Sequence, residues 1–251
     1  SDREENLHHY GYDLTSSYNL SNWKLIHEVA FDSDTFANVI DAHFASQNLN
    51  FNAQLRDINK NFLSITGTSW RQGEIGGLFN LNYRPTEKLT LDSGLDIYRD
   101  RLFPSKYNEK RLNEDFNFRA LYSINPTSSL RFNYLLQNRL GSLLEYRYQN
   151  VDIGISKSFK FITGINTYLT YYHQENNNIS SPLSSYINDR IYAGLRVNLI
   201  KDLYYYFNSE TNWLLERSTG NRSLPSAIET GFDYNSQIGR SDFYGITRVT
   251  L

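Results

Sequence analysis

The chain has 251 residues, a formal net charge of -2, no cysteine and no methionine, with 20 Tyr and 15 Phe. Lack of cysteine removes disulfides, thiolate metal sites and cysteine nucleophiles, and a near-neutral charge without a basic stripe argues against a nucleic-acid binder. No run of about 18 apolar residues supplies a helical membrane span.

A mean hydropathy of -0.57 looks soluble, but a membrane β-barrel reaches the same value because only half of each strand meets lipid. The abundant aromatic residues favour strands and bilayer interfaces. Without any Met, residue 1 is not a translational start, which implies a removed leader or N-terminal part. Residues 1–9, with Arg3, Glu4 and Glu5, read as a solvated leader segment, and 10–251 as one barrel domain cut from a longer chain. His8 and His9 are adjacent, so an extended backbone sends them to opposite faces and makes them poor joint metal ligands.

From residue 10 onward the dominant signal is alternation. Leu49, Phe51, Ala53 and Leu55 alternate with Asn50, Asn52, Gln54 and Arg56. Leu89, Leu91, Leu95 and Ile97 alternate with Thr90, Asp92 and Asp96, and Ile228, Thr230, Phe232 and Tyr234 with Glu229, Asp233 and Asn235. Successive side chains of a strand point to opposite faces, so one face suits an apolar medium and the other suits water or polar partners. The expected strands are 10–20, 23–31, 36–46, 49–69, 74–84, 88–99, 112–124, 129–139, 143–157, 159–173, 186–199, 202–215, 226–238 and 241–251. Most have the length that a tilted strand needs to cross a bilayer.

Two segments depart from the pattern. In 143–157 the apolar parity slips between Tyr148 and Val151, which a bulge near Gln149-Asn150 explains. Segment 49–69 is overlong; one projecting strand is favoured over two strands with a turn at Asn59-Lys60-Asn61, because a split breaks the order of the connections.

Those connections alternate short and long. Short turns fall at Ser21-Asn22, Gln47-Asn48, Pro85-Thr86-Glu87, Asn125-Pro126-Thr127-Ser128, Ser158, Lys201 and Gly239-Arg240, and longer loops include 100–111, 174–185 and 216–225. Membrane barrels place short turns on one rim and long loops on the other. Fourteen strands in this order put both chain ends on the long-loop side, whereas bacterial barrels begin and end on the opposite side. The expectation is a strand missing at each end and a parent barrel of about sixteen strands.

Pro-Thr-Glu-Lys-Leu-Thr-Leu-Asp-Ser-Gly-Leu-Asp-Ile-Tyr-Arg-Asp-Arg at 85–101 resembles a turn plus strand of Gram-negative outer-membrane barrels, and Ser123-Ile124-Asn125-Pro126-Thr127-Ser128-Ser129-Leu130-Arg131-Phe132 is similar. The resemblance is one of pattern over nearly the whole chain and names a class, with porins and the barrel domains of exopolysaccharide exporters the members to compare first. It implies an all-β fold, a transmembrane antiparallel up-and-down β-barrel in the bacterial outer membrane.

With the apolar parity toward lipid, the other parity lines a lumen. Arg119, Arg131, Arg139 and Arg147 form a basic wall; Glu74, Asp92, Asp96 and Asp100, then Glu229, Asp233 and Asp242, are acidic. Opposed walls create a transverse field across a pore; the alternative is that these charges pair across neighbouring strands and brace or plug it. Tyr98, Tyr168, Tyr172, Tyr192, Tyr204, Tyr206 and Tyr244 share the inner parity and suit contact with sugar rings, unless they only fill the lumen or form girdles. Tyr10, Tyr12, Tyr18, Trp23, Phe79, Tyr83, Phe116, Tyr122, Phe207 and Trp213 are outward girdle candidates.

Catalytic signals are poor. Some outer-membrane barrels are hydrolases, and His173 lies near Ser180, Ser181 and Ser184, but nothing in the spacing brings nucleophile, base and orienter together. The sequence therefore points to a non-enzymatic channel, without cofactor or metal, for polar solutes or a polysaccharide. Its partners would be the lipid bilayer and periplasmic or surface proteins. A structural barrel that anchors or displays partners is the alternative, and a barrel hydrolase ranks below both. A soluble β-sandwich or propeller is the competing fold; no propeller repeat is visible.

Overall fold

The computed structural model describes residues 11–32, 35–62, 73–101, 112–141, 146–159, 164–179, 181–200, 203–238, 241–246 and 249–250. The strands are β1 (Gly11–Leu20), β2 (Trp23–Asp32), β3 (Thr35–Ala45), β4 (Leu49–Ile58), β5 (Glu74–Thr86), β6 (Leu89–Asp100), β7 (Leu112–Asn125), β8 (Ser128–Leu140), β9 (Tyr146–Phe159), β10 (Ile165–Asn178), β11 (Tyr186–Ile200), β12 (Leu203–Glu216), β13 (Arg222–Ser223), β14 (Ser226–Ile238), β15 (Ser241–Ile246) and β16 (Val249–Thr250). Fourteen of them follow one another in chain order through an up-and-down sheet; the two-residue β13 and β16 pair with β12 and β14. The only helical turn among the described residues is a 3-10 turn at Pro182–Ser184. The all-β, antiparallel, up-and-down architecture expected from the alternation is thus present. Among the described residues, β1 and the last strands are not paired to each other.

The chain divides into two compact units. The first comprises Ser1–Tyr83, Ser93–Phe116 and Asn138–Glu145. Here unbroken registers align apolar residues in rows. Leu20 faces Trp23, Trp23 faces Phe44, Phe44 faces Phe51, and Phe51 faces Leu81. The Trp23 ring packs on Phe44 at 5.0 Å and on Phe51 at 6.4 Å. Eight residues further along β1, Tyr12 faces Phe31 and Phe31 faces Phe36. Aromatic rows thus stand about 26 Å apart along the strands at 3.3 Å per residue, with Leu14, Leu25, Ile40 and Leu55 between them on the same face.

The overlong strand expected at 49–69 is corrected: β4 stops at Ile58. The Asn59 side-chain oxygen accepts the backbone N–H of Asn61 at 2.9 Å, and its carbonyl accepts that of Phe62 at 3.1 Å. This local Asn turn competes successfully with further pairing. Phe62 then packs against Ala37 and Ile58 with Ala30 and Val39, the one small apolar cluster of buried residues described. Residues 63–69 lie outside the described ones. The loop order survives, because β4 still pairs antiparallel with β5. One connection, between β2 and β3, spans only residues 33–34.

The second unit comprises Arg84–Asp92, Asn117–Gln137 and Tyr146–Leu251. Its apolar face carries Val151, Ile153 and Ile155 of β9, Leu169 of β10, and Phe207 of β12, which faces Thr230 of β14. Three sequence expectations are corrected here. The bulge near Gln149-Asn150 is absent from the β9–β10 ladder, which runs without slip from Tyr146↔Asn178 to Phe159↔Ile165. The turn expected at Ser158 falls later, since Ser158 still pairs with Asn166. The loop expected at 174–185 begins only after Asn178, because Gln174, Glu175 and Asn176 pair with Asn188, Ile187 and Tyr186. In each case polar residues that resemble loop in sequence are held in the ladder by cross-strand partners.

Candidate functional site

The distribution of burial is the reverse of that in a water-soluble core. Among the described residues the buried apolar side chains are Ala37, Ile58, Phe62 and Tyr206, while Arg56, Asn113, Asp152, Thr170 and Ser185 are buried polar ones. Leu55, Leu169 and Phe232 are half exposed at 51%, 50% and 49%. On β4, β9 and β10 the buried Arg56, Asp152 and Thr170 occupy the parity opposite to the exposed Leu55, Ile153 and Leu169.

In the first unit the polar face centres on Arg56 of β4, whose side chain is fully buried. Its Nε donates to Glu74 Oε2 at 2.8 Å and its Nη2 to Asp96 Oδ1 at 2.7 Å. The guanidinium lies over the Tyr98 ring at 5.3 Å, and Nη1 has no hydrogen-bond partner. Tyr98 lies across Gly76, where a Cβ would meet the Tyr98 Cα and Cβ at 2.6 Å. Arg139 makes a two-pronged contact with Asp115, at 2.7 and 3.0 Å. Glu74, Asp96 and Tyr98 are therefore gathered into one cluster, and Asp100 lies on the same face of β6.

In the second unit the polar face presents a tyrosine-rich patch on β10, β11 and β12. Tyr168 faces Gly194, Thr170 faces Tyr192, and Tyr172 faces Arg190. Tyr168 and Tyr192 stack at 5.4 Å with 28° between their planes, and the Tyr168 hydroxyl donates to Asn208 Oδ1 at 2.6 Å. Arg190 stacks on Tyr172 at 4.6 Å and Arg196 on Tyr204 at 4.3 Å. The same guanidiniums reach Glu210 and Asp233, each at 3.5 Å. Tyr206 is buried beside Gly231, and Asn208 Nδ2 donates to Glu229 at 3.4 Å. Five of the seven tyrosines proposed for sugar contact thus form one surface; Tyr98 belongs to the first unit. The side chains of Tyr244 and Asp242 lie outside the described ones.

The residues expected to form a basic wall each have their own setting. Arg131 and Asn133 both bond Asp152, at 3.1 Å and at 2.7 and 2.8 Å. Arg119 is exposed on β7. Arg147 is corrected: with no bulge in the β9–β10 ladder, its parity is that of Val151, Ile153 and Ile155, on the apolar face. Arg56, Arg131, Arg139, Arg190 and Arg196 each pair with a nearby carboxylate, the alternative weighed from the sequence. Asp92 is likewise on the polar parity of β6 and belongs to the second unit. Arg190, Arg196 and Asn208 were missed, although their even numbers on β11 and β12 match Tyr192 and Tyr206.

Among the described residues no serine is hydrogen-bonded to His173. Its Nδ1 lies 2.8 Å from Asp189 Oδ1, which also accepts the Tyr171 hydroxyl at 2.6 Å. The Ser184 hydroxyl donates to the Ser181 carbonyl at 2.8 Å, and Ser180 lies outside the described residues. All three clustered side chains sit on the apolar parity. Among the described residues no group of three or more His, Asp or Glu is placed to hold a metal ion. Tyr10, His8 and His9 lie outside the described residues. Of the outward girdle candidates, Tyr12, Tyr18, Trp23, Tyr83, Tyr122, Phe207 and Trp213 are exposed.

No protein-family model matches the chain, and no curated protein is significantly similar to it in sequence.

Proposed function

We propose that this chain is a transmembrane β-barrel domain of the bacterial outer membrane, forming a conduit for polar solutes or a polysaccharide strand. One observation carries the proposal: large apolar side chains are exposed on one parity, while buried Arg56 and Asp152 occupy the other. In water that arrangement forfeits the hydrophobic gain of folding; with hydrocarbon on the apolar side it does not. The two aromatic rows of the first unit support the same reading, because girdles bracket an apolar band of about 25 Å in such barrels. Closure is part of the proposal. In lipid each unpaired N–H or C=O along an open edge costs several kcal/mol, so edge strands must pair with each other or with further strands.

The tyrosine patch supports a polyhydroxylated solute. Rings with a polar edge, amides such as Asn208, and carboxylates such as Glu210 present both stacking faces and hydrogen-bonding groups. The test is refolding into mild detergent, comparison of gel mobility before and after boiling, and then planar-bilayer recording with sugars of increasing length. A heat-sensitive compact band, conductance and sugar-dependent block are expected; a chain that stays folded and monomeric in plain buffer refutes the proposal. A second reading, a braced scaffold barrel that anchors partners, draws on the local pairing of Arg131, Arg139, Arg190 and Arg196. A heat-sensitive band without conductance selects it.

A further inference from the structure

Midway between the two aromatic rows of the first unit, the apolar face carries polar side chains. Ser16 of β1 lies halfway from Leu20 to Tyr12, and it faces His27 of β2, which lies halfway from Trp23 to Phe31. Both are exposed. Asn38 of β3 is diagonal to His27 on the same face, opposite Val29 and Asp57. His27 Nε2 lies 2.9 Å from Asn38 Oδ1. An amide oxygen only accepts, so Nε2 donates, and the uncharged ring that hydrocarbon favours carries its acceptor at Nδ1. Ser16 Oγ donates to the His27 carbonyl at 3.5 Å, and Asp57 is taken by Arg101 at 2.6 Å. Among the described residues nothing accepts the Asn38 Nδ2 hydrogens or donates to His27 Nδ1.

Depth decides what this trio can do. At 3.3 Å per residue Ser16 and His27 lie about 13 Å from either aromatic row, near the middle of a hydrocarbon layer about 30 Å thick. Lipid ester bonds lie at the edges of that layer, so the serine and histidine are not placed to attack them. Acyl chains offer neither donor nor acceptor, and an unsatisfied polar group is expensive there. The patch offers one of each, so it is complementary to itself. We propose that two copies of this chain pack face to face across β1, β2 and β3, about a two-fold axis along the membrane normal. Each Asn38 amide then donates to Nδ1 of His27 in the other copy. Beside Asn38, the same face has a hollow of about 270 Å³ bordered by Ile40, Leu55 and Ile75, which receives an apolar side chain of the facing copy. The inference rests on the reading of this face as lipid-facing, and the experiment separates the two.

Sedimentation equilibrium of the refolded chain in density-matched micelles measures the association. The unsubstituted chain should dimerise. His27→Leu and Asn38→Leu should each weaken the dimer by roughly three- to thirtyfold, the range of a side-chain hydrogen bond between membrane segments. Leu169→Ala, on the apolar face of the second unit, should leave it unchanged. A monomer that still gives the heat-sensitive band overturns the dimer and leaves the membrane reading in place, and so does a dimer indifferent to both leucine substitutions. A chain that stays folded and monomeric in plain buffer overturns the membrane reading and this inference with it. Cross-linking supplies a second measurement that keeps all three polar side chains. The chain has no cysteine, so Leu25→Cys, on the same face of β2 as His27, gives each copy a single thiol. Oxidised by copper phenanthroline in lipid vesicles, Leu25→Cys should form a disulfide-linked dimer and Leu169→Cys should not. Equal yields from the two, or no linked dimer from Leu25→Cys, refute the interface.

Discussion

The Tyr168 ring lies across Gly194 on the adjacent strand, so that a methyl group at 194 would fall inside the ring and its hydroxyl. Bare backbone at 194 is therefore what allows Tyr168 to stack on Tyr192 and reach Asn208. Gly194→Ala should destabilise the refolded protein by about 1–3 kcal/mol through overpacking. In a Tyr168→Ala background the same change should cost far less. Urea titration in detergent measures both, and equal costs in the two backgrounds would show that the ring does not depend on the glycine.

Arg56 neutralises two carboxylates from a fully buried position. Arg56→Ala should cost about 3–5 kcal/mol, because it removes the buried cation that bridges Glu74 and Asp96. The triple change Arg56→Ala, Glu74→Gln, Asp96→Asn should recover much of that loss. If the triple variant is no more stable than the single one, the cluster is held by packing rather than by charge.

Ile153 is 48% exposed on the apolar face. In a bilayer, Ile153→Arg should cost about 2–4 kcal/mol if the residue sits near the midplane. For a water-facing residue the change would stay within about 0.5 kcal/mol. Folding equilibria in lipid vesicles distinguish the two outcomes, and a near-zero effect there removes hydrocarbon from this face.

Arg196 shares its charge with Tyr204 and Asp233. In an open conduit, local pairing predicts weak ion selectivity for the unmodified chain. Arg196→Gln removes one positive charge and leaves Asp233 uncompensated, so the reversal potential in a salt gradient should move toward cation preference. A shift toward anions, or none, shows that Asp233 does not face the permeation path.

Alternation along each segment is a local property, and it made strands, faces and most turns legible without any knowledge of contacts. Leu49 to Leu55 and Ile228 to Phe232 declare their faces because side chains alternate at every residue whatever the partner strand does. What residues far apart in the chain do together was not legible. The end of β4 depended on whether the Asn59 side chain and carbonyl close a turn on Asn61 and Phe62, and the face of Arg147 on whether the β9–β10 ladder slips. The pairing of Arg56 with Glu74 and Asp96, and of His173 with Asp189, depended on inter-strand register. A register shift of one residue exchanges every inward and outward side chain. Only the assembled sheet, by choosing one register for each strand pair, decided which charge meets which.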